Sequence, residues 1–426
     1  MDFELFYETT GVCTDTRKIE KDCLFICLKG ENFNGNTFAQ QAIEQGAKYV
    51  VVDEAAFATS ERIFLVKNSL EYLQQLANYH RKKFKIPVIG ITGSNGKTST
   101  KELINAVLSE KFKVLATIGN LNNHIGVPIT LLRMNQEHEI AIIEMGANKF
   151  GDIAELCAIA EPNYGIITNI GKAHLEGFID FQGVLKTKKE MYDAVSANNG
   201  VVIYNFDDEI LQNNVPTNIR LLSYGQHKNA GISGELTALT PFIEMKWTTE
   251  GYTSPLLTMN MVGKYNFYNY MAAIAFGIEF GLEPSQINAG LTNYSPTNNR
   301  SQVKKSKKNT LILDCYNANP SSMKSALESF ALIENKQKMF IIGDMLELGD
   351  QSEKEHQAIA DLAAQLSLKG FSVGPRFKAL QTNAFTQQFE NTKDVQDFVT
   401  DNEITNHLIL LKGSRGIGLE VLEEVL

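Results

Sequence analysis

Short apolar runs alternate with amphipathic stretches along the whole chain, and that alternation predicts strands separated by helices. In the first part, the runs at 23–28, 49–52 and 63–66 read as strands. The stretch 69–83 reads as a helix ending in the basic cluster Arg81-Lys82-Lys83. An apolar run over 86–91, opened by Pro87, is followed by a helix-like stretch over 99–111. Further buried-strand candidates lie at 139–145 and 164–169, both ending in polar residues. The last part repeats the pattern, with strands at 311–315, 339–342 and 408–411 and a helix near 321–332. No fixed-period repeat or low-complexity tract interrupts it. The pattern predicts an α/β protein with largely parallel sheets.

Two breaks divide the chain. The first lies near residue 84, before Pro87. The second is the run Ser295-Pro296-Thr297-Asn298-Asn299, which has no apolar residue. The expected segments are 1–83, 84–296 and 297–426. The cluster Lys304-Lys305-Ser306-Lys307-Lys308-Asn309 reads as a solvated hairpin.

Composition narrows the class. A chain of 426 residues has room for roughly two to four domains. Hydrophobic content of 43% and charged content of 21% are those of an ordinary globular protein. A net charge of −9 argues against a non-specific nucleic-acid binder. The apolar runs are too short to span a bilayer, and the first residues carry no secretion signal. Five cysteines, at 13, 23, 27, 157 and 315, suggest neither a disulfide framework nor a zinc site. Cys23 and Cys27 read as core-facing strand positions. The expectation is a reduced, cytoplasmic enzyme without membrane insertion.

The densest chemistry lies at Gly90-Ile91-Thr92-Gly93-Ser94-Asn95-Gly96-Lys97-Thr98. A strand, a glycine-rich turn and a helix N-terminus in that order make an anion cradle. Gly93 and Gly96 let the backbone approach phosphate oxygens, with Ser94 and Asn95 between them. Lys97 suits the outer phosphates of a nucleoside triphosphate, and the Thr98 hydroxyl suits magnesium. The strict phosphate-loop spacing would place a glycine at 91; here it stands one place earlier, at Gly90.

Other polar residues collect at strand ends, the usual place for ligands in open α/β sheets. Glu144 closes one apolar strand, where a magnesium-orienting acid belongs; a surface glutamate would look the same. His174 lies in a loop after another strand, as a structural, exposed or catalytic histidine would. Lys186-Thr187-Lys188-Lys189-Glu190 reads as a charged helix start, with nothing to single out one lysine. Asn266 and Asn269 share a helix face; the two amides suit a nucleobase edge and suit a helix cap equally. In the last segment, the loops 314–320, 343–349 and 412–416 each follow an apolar strand, as one side of a substrate cleft would.

Together, Thr92 to Thr98, Glu144-Met145-Gly146, Asn169 to His174 and Asn266-x-x-Asn269 resemble the Mur ligases of peptidoglycan synthesis. The resemblance extends to Asp15-Thr16-Arg17, to Gly119 through Pro128 with Asn122 and Asn123, and to Asp314 through Pro320. Gly343 to Gly349 and Lys412-Gly413-Ser414-Arg415 complete it over essentially the whole chain. It implies three domains. A smaller N-terminal α/β domain (1–83) would bind the UDP-linked substrate. A central phosphate-loop mononucleotide-binding parallel sheet (84–296) would bind ATP. A C-terminal Rossmann-like domain (297–426) would bind the second substrate.

The implied reaction is ATP-dependent amide-bond formation between UDP-N-acetylmuramoyl-tripeptide and D-alanyl-D-alanine by a monomer. The resemblance also assigns residues. Lys97 would be catalytic; Thr98, Glu144, His174 and a carbamylated Lys188 would hold two magnesium ions. Lys188 is the lysine aligned on the Lys-x-Glu-apolar-aromatic pattern, with Lys186 and Lys189 close by. Asn266, Asn269, Arg300 and Asp314 would contact ATP. Asp15, Thr16, Arg17, Asn122, Asn123, Asn317, Asn319, Asp344, Lys412, Ser414 and Arg415 would contact the other substrates.

Three positions depart from the family pattern: Tyr265 stands for a usual histidine, Asn299 precedes Arg300 where glycine is usual, and Asn34-Gly35-Asn36 replaces a more acidic turn. A folylpolyglutamate synthetase-like ligase shares the ATP domain, but Asp15-Thr16-Arg17 argues against it. A phosphate-loop NTPase switch would leave the third segment unexplained, and no Asn-Lys-x-Asp guanine signature is present.

Overall fold

The computed structural model describes residues 2–171, 178, 180–239 and 241–426. His174 lies outside the described residues. The first sheet runs Val12–Cys13, Leu24–Ile26, Tyr49–Val52, Ile63–Leu65, with every neighbour parallel. Cys23 and Cys27 face its core, and all five cysteines are free thiols. The helix Ser69–Lys82 starts where Asn68 accepts the Glu71 N–H, and its apolar face joins this part to the next.

The central strands follow the order Arg220–Gly225, Val201–Asn205, Tyr164–Ile167, Val88–Thr92, Ile140–Glu144, Val114–Ala116, again all parallel. That order sets the site. The fully buried strand Val88–Thr92 delivers its glycine turn between the ends of the strands carrying Glu144 and Thr168-Asn169.

The expectation of largely parallel sheets holds at both ends of the long sheet and fails in its middle. Ile232–Leu239, Phe242–Thr249 and Leu257–Val262 form an antiparallel insert. The cue was present: Ile243, Met245 and Trp247 alternate with Glu244 and Lys246, and the three apolar residues are buried, as in a strand covered on one face. The insert pairs with the C-terminal sheet through Met261 and Gln302. The expected hairpin forms from Gln302–Lys305 and Thr310–Leu313, with Ser306 and Asn309 hydrogen-bonding across the turn. Beyond it, Leu408–Lys412, Lys338–Gly343, Gly370–Val373 and Phe385–Phe389 are parallel. Separate apolar clusters fill the two faces of this last sheet. No helix among the described residues is long and apolar enough to cross a membrane.

Candidate active site

The turn after Val88–Thr92 is held open from one side. Thr168 Oγ1 donates to Asn95 O at 2.6 Å, Asn169 Nδ2 donates to the same oxygen at 2.9 Å, and Asn95 N–H donates to Asn169 Oδ1 at 3.0 Å. Ser94 N–H donates to Asn169 O at 3.0 Å. Sequence reading missed this bracing, because its partners lie more than 70 residues away and meet only through strand order. Gly96 caps the helix Lys97–Leu108 at φ 77 without a side-chain cap, so the helix N-terminus keeps its N–H groups for a ligand. Gly90 takes no part in the loop. It sits inside the strand, where a Cβ would meet Met191 Sδ at 2.7 Å, and so lets the helix Phe181–Ala197 pack closely.

Gly93 has φ +144, and a Cβ there would lie 2.0 Å from Thr168 Oγ1. Gly93→Ala is expected to lower the melting temperature, because alanine is strained at that φ and collides with Thr168, and to weaken ATP binding by about two orders of magnitude, because the cradle must shift by roughly an ångström. Calorimetric titration with ATP checks this; wild-type affinity would show that the turn tolerates the displacement.

Around the loop is a cavity of about 1010 Å³, walled by the central sheet's strand ends on one side and the C-terminal sheet's on the other. Lys97 Nζ donates to Gly93 O at 2.7 Å, and burial pushes its pKa down, with Arg300 adding to the effect and Glu144 opposing it. Glu144 is buried. Its Oε1 accepts from Asn122 Nδ2 at 2.7 Å and its N–H donates to Thr117 Oγ1 at 3.0 Å, while its Oε2 has no hydrogen-bond partner among the described residues. A buried, unpartnered carboxylate oxygen on a cavity that Thr98 also lines is suited to a hard cation.

Lys188 is 2% exposed, with Nζ 5.7 Å from the Phe178 ring centroid. Burial drives its pKa well below the usual lysine value, and the Lys97 charge pushes it the same way. Its neighbours differ: Lys189 pairs with Asp193 and Lys186 lies over the Phe150 ring. The signal was in the sequence. Val184, Lys188, Met191 and Val195 recur at 4, 3 and 4 residues, which places Lys188 on the helix's buried face. Protonated, Lys188 would repel a metal ion; as a carbamate it would add an anionic oxygen ligand. Among the described residues, no three His, Cys, Asp or Glu side chains form a ready metal cluster.

Asn266 and Asn269 line the cavity but are largely committed. Asn266 Nδ2 donates to Val262 O and Ser301 Oγ, its Oδ1 accepts from Asn269 Nδ2, and Asn269 Oδ1 accepts from Thr100. Neither caps the helix Tyr265–Glu279, whose N-cap is Lys264. The three family departures are accommodated locally. Tyr265 OH hydrogen-bonds Ser301 Oγ at 2.8 Å and donates to Asp314 Oδ2 at 3.4 Å, joining the two halves. Asn299 has φ 54, a left-handed conformation natural to glycine and tolerated by asparagine. Asn36 is buried, tied to Asn34 and Asp53.

From the C-terminal side, Asp314 accepts from Lys412 Nζ at 2.7 Å and from Ser301 N–H at 3.1 Å. Arg300 stacks on Tyr316, 3.9 Å from the ring centroid, and its buried Nε has no partner among the described residues. Asn317 also lines the cavity. Asn319 caps the helix Pro320–Ala331, and its Nδ2 donates to Asn95 Oδ1 at 2.8 Å, linking this half to the phosphate loop. Asn122 and Asn123 line the opposite wall; Asn123 Oδ1 also accepts the Gly126 N–H.

The structure does not bring every expected residue to the cavity. Asp344 is 1% exposed and caps the helix Pro375–Lys378, accepting the Arg376 and Phe377 N–H groups at 3.0 Å each. Ser414 is buried, accepting the Leu346 N–H, and Arg415 stands exposed, 5.4 Å from the Tyr316 centroid. Asp15, Thr16 and Arg17 form a turn elsewhere on the surface, where the Arg17 guanidinium grips Asp15 at 2.9 and 2.7 Å and holds its carboxyl well below the usual range.

Comparison with known proteins covers nearly the whole chain. Residues 91–277 match the Mur ligase middle domain, 299–415 match the Mur ligase, glutamate ligase domain, and 8–81 match the Mur ligase family, catalytic domain. The UDP-N-acetylmuramoyl-tripeptide--D-alanyl-D-alanine ligase of Bacillus subtilis (strain 168) is 37% identical, covering 97% of this chain and 93% of the relative. The protein of the same name from Escherichia coli (strain K12) is 32% identical over 96% and 92%. A MurF crystal structure from Acinetobacter baumannii superposes with a TM-score of 0.88 at 30% identity, covering 99% and 97% of the two chains. MurF from Thermotoga maritima in complex with ADP shares the fold, with a TM-score of 0.89 at 24% identity over 100% and 98%.

Proposed function

The chain belongs to the Mur ligase family, and from that premise we propose that it uses ATP to join D-alanyl-D-alanine to UDP-N-acetylmuramoyl-tripeptide. The observation that carries the reading is one cavity between two sheets. Its central wall holds an uncapped helix N-terminus, Lys97 and the unpartnered oxygen of Glu144, and its far wall holds Asp314, Asn319 and Lys412. The proposed division is an N-terminal UDP-substrate domain (1–83), a central ATP domain (84–296) and a C-terminal Rossmann-like domain (297–426).

A carboxylate acylates amines poorly, so the tripeptide carboxylate first attacks the ATP γ-phosphate. An acyl phosphate forms and ADP leaves. The amine of D-alanyl-D-alanine then attacks the acyl carbon, and phosphate departs from the tetrahedral adduct. Two anions must meet in the first step. The N–H groups of the 93–98 turn and Lys97 stabilise the charge gathering on the phosphate. Magnesium, when bound, would supply further positive charge there; Thr98, Glu144, His174 and a carbamylated Lys188 are the residues proposed to hold two such ions. Arg300 and Asp314 would meet the nucleotide from the far wall, with Asn266 and Asn269 at its base. Holding the amine against the acyl phosphate contributes roughly 7–11 kcal/mol of barrier reduction, and the Asn95–Asn319 hydrogen bond supports a joined arrangement of the two walls.

Asp15, Thr16 and Arg17 are proposed to bind the UDP-linked substrate. Asn122, Asn123, Asn317 and Lys412 are proposed substrate contacts, with Arg415 at the rim; Asp344 and Ser414 would act by shaping the loops beside them. One chain forms both walls, which suits a monomer, and the proposed location is the cytoplasm.

The test is ADP release with each substrate omitted in turn. Release is expected only when the UDP-linked tripeptide is present, with coupled turnover only when D-alanyl-D-alanine is added. Equal release without either substrate would indicate an NTPase switch. Release driven by a folate and glutamate would indicate the related synthetase.

A further inference from the structure

Lys101 lies one helical turn after Lys97 on the helix Lys97–Leu108, and its side chain is completely buried. Nothing in the proposed reaction uses it. An ammonium out of contact with water costs stability unless it is paired and hydrogen-bonded, and an apolar side chain would fill the same space without that cost. What Lys101 contributes therefore lies in what its Nζ holds.

Nζ donates to Thr117 O at 2.5 Å and Gly119 O at 3.5 Å, and pairs with Glu102 at 2.8 Å. Thr117 and Gly119 begin the loop that leads from the strand Val114–Ala116 to Asn122. Both ends of that loop hold Glu144. Thr117 Oγ1 accepts the Glu144 N–H at 3.0 Å, and Asn122 Nδ2 donates to Glu144 Oε1 at 2.7 Å. Asn122 O also accepts the Gly146 N–H at 2.7 Å, fixing the backbone just beyond the carboxylate. With Oε1 taken and the backbone pinned, Oε2 is the atom left without a partner among the described residues.

We propose that Lys101 is a positioning residue for the metal-binding carboxylate: it staples the loop 117–122 to the phosphate-loop helix, so that Thr117 and Asn122 present Glu144 Oε2 at a fixed distance from Thr98. Cradle and carboxylate then move as one unit. This rests on the reading of Glu144 as a metal ligand.

Lys101→Met keeps the length of the side chain and removes its donors; Lys101→Arg restores them. The readout is Mn2+ binding to the enzyme with a non-hydrolysable ATP analogue, followed by electron paramagnetic resonance, alongside the melting temperature. Lys101→Met is expected to weaken Mn2+ binding on the order of tenfold with little loss of melting temperature, and Lys101→Arg to recover part of it. Thr117→Val, which removes the acceptor of the Glu144 N–H, is expected to weaken Mn2+ binding similarly, and the double variant to add little further. Should Lys101→Met fail to fold, Thr117→Val against Thr117→Ser carries the same comparison. Wild-type Mn2+ affinity in Lys101→Met, or in Thr117→Val where that variant carries the test, overturns the inference. Glu144→Gln separates the two readings: if it too binds Mn2+ normally, Glu144 is no ligand; if it alone loses Mn2+, Lys101 is merely structural.

Discussion

Lys97→Ala abolishes ligation, with ADP release falling by roughly a thousandfold or more. Lys97 is the cation at the mouth of the phosphate loop, and its Nζ rests on Gly93 O, within reach of anything the turn cradles. Its charge opposes the repulsion between the attacking carboxylate and the γ-phosphate, which is greatest in the transition state, so the loss should appear mainly in kcat. The fold should not suffer. Burial already pushes the Lys97 pKa down, so the cation is held there at some cost, and alanine relieves it. Steady-state ADP release with both substrates, together with a thermal melt, tests this. Near-normal turnover in a folded variant would sink the phosphoryl-transfer reading.

Lys188→Ala is expected to lose on the order of a hundredfold or more in rate and to regain part of it when formate or acetate is added. The reason is chemical. A carbamate forms when a neutral amine attacks CO2 and releases a proton, and burial together with the Lys97 charge favours the neutral amine at Lys188. A short carboxylate entering the space left by alanine would replace the lost oxygen ligand. Lys186→Ala, on the exposed side of the same helix, should stay active; an inactive Lys186→Ala with no rescue of Lys188→Ala would move the assignment.

The pH dependence of Lys188 follows from its depressed folded pKa. As pH falls through that value the amine protonates, the proposed carbamate would be lost and activity is expected to drop, with added bicarbonate opposing the drop. In CO2-free buffer the unfolded chain binds the extra proton between the folded pKa and the ordinary lysine value of 10.5. Stability should therefore rise with pH across that window, being lowest where the buried cation persists.

Parts of the site were legible because their cues are local. Gly93 to Thr98 between a strand and a helix, and Glu144 at the end of an apolar run, need only neighbouring residues to be read. That Lys188 is the buried lysine of its run needed one further step, the 4-3-4 spacing from Val184 to Val195. The same spacing, Lys97-Lys101-Ile104-Leu108, marks Lys101 as inward-facing. Asp344 illustrates the opposite case. Its loop has the composition of a binding loop, yet the carboxylate caps a helix that begins more than 30 residues later. Asn299 can replace glycine in the turn because the position asks for a left-handed backbone, which asparagine tolerates, rather than for a missing side chain.

The sequence by itself determined the α/β alternation, the anion cradle and the family, since periodicity, turn chemistry and motif spacing are properties of short stretches of chain. Only the tertiary structure decided which strand ends meet. Parallel order sets Thr168 and Asn169 against Asn95, and Asn122 against Glu144, while the C-terminal sheet brings Asp314 and Asn319 to the opposite wall. The physical reason is that neighbouring parallel strands are joined by long crossovers, so residues far apart in sequence share one end of a sheet. The same packing encloses Lys188 and gives the inward-facing Lys101 its partners Thr117 and Glu102.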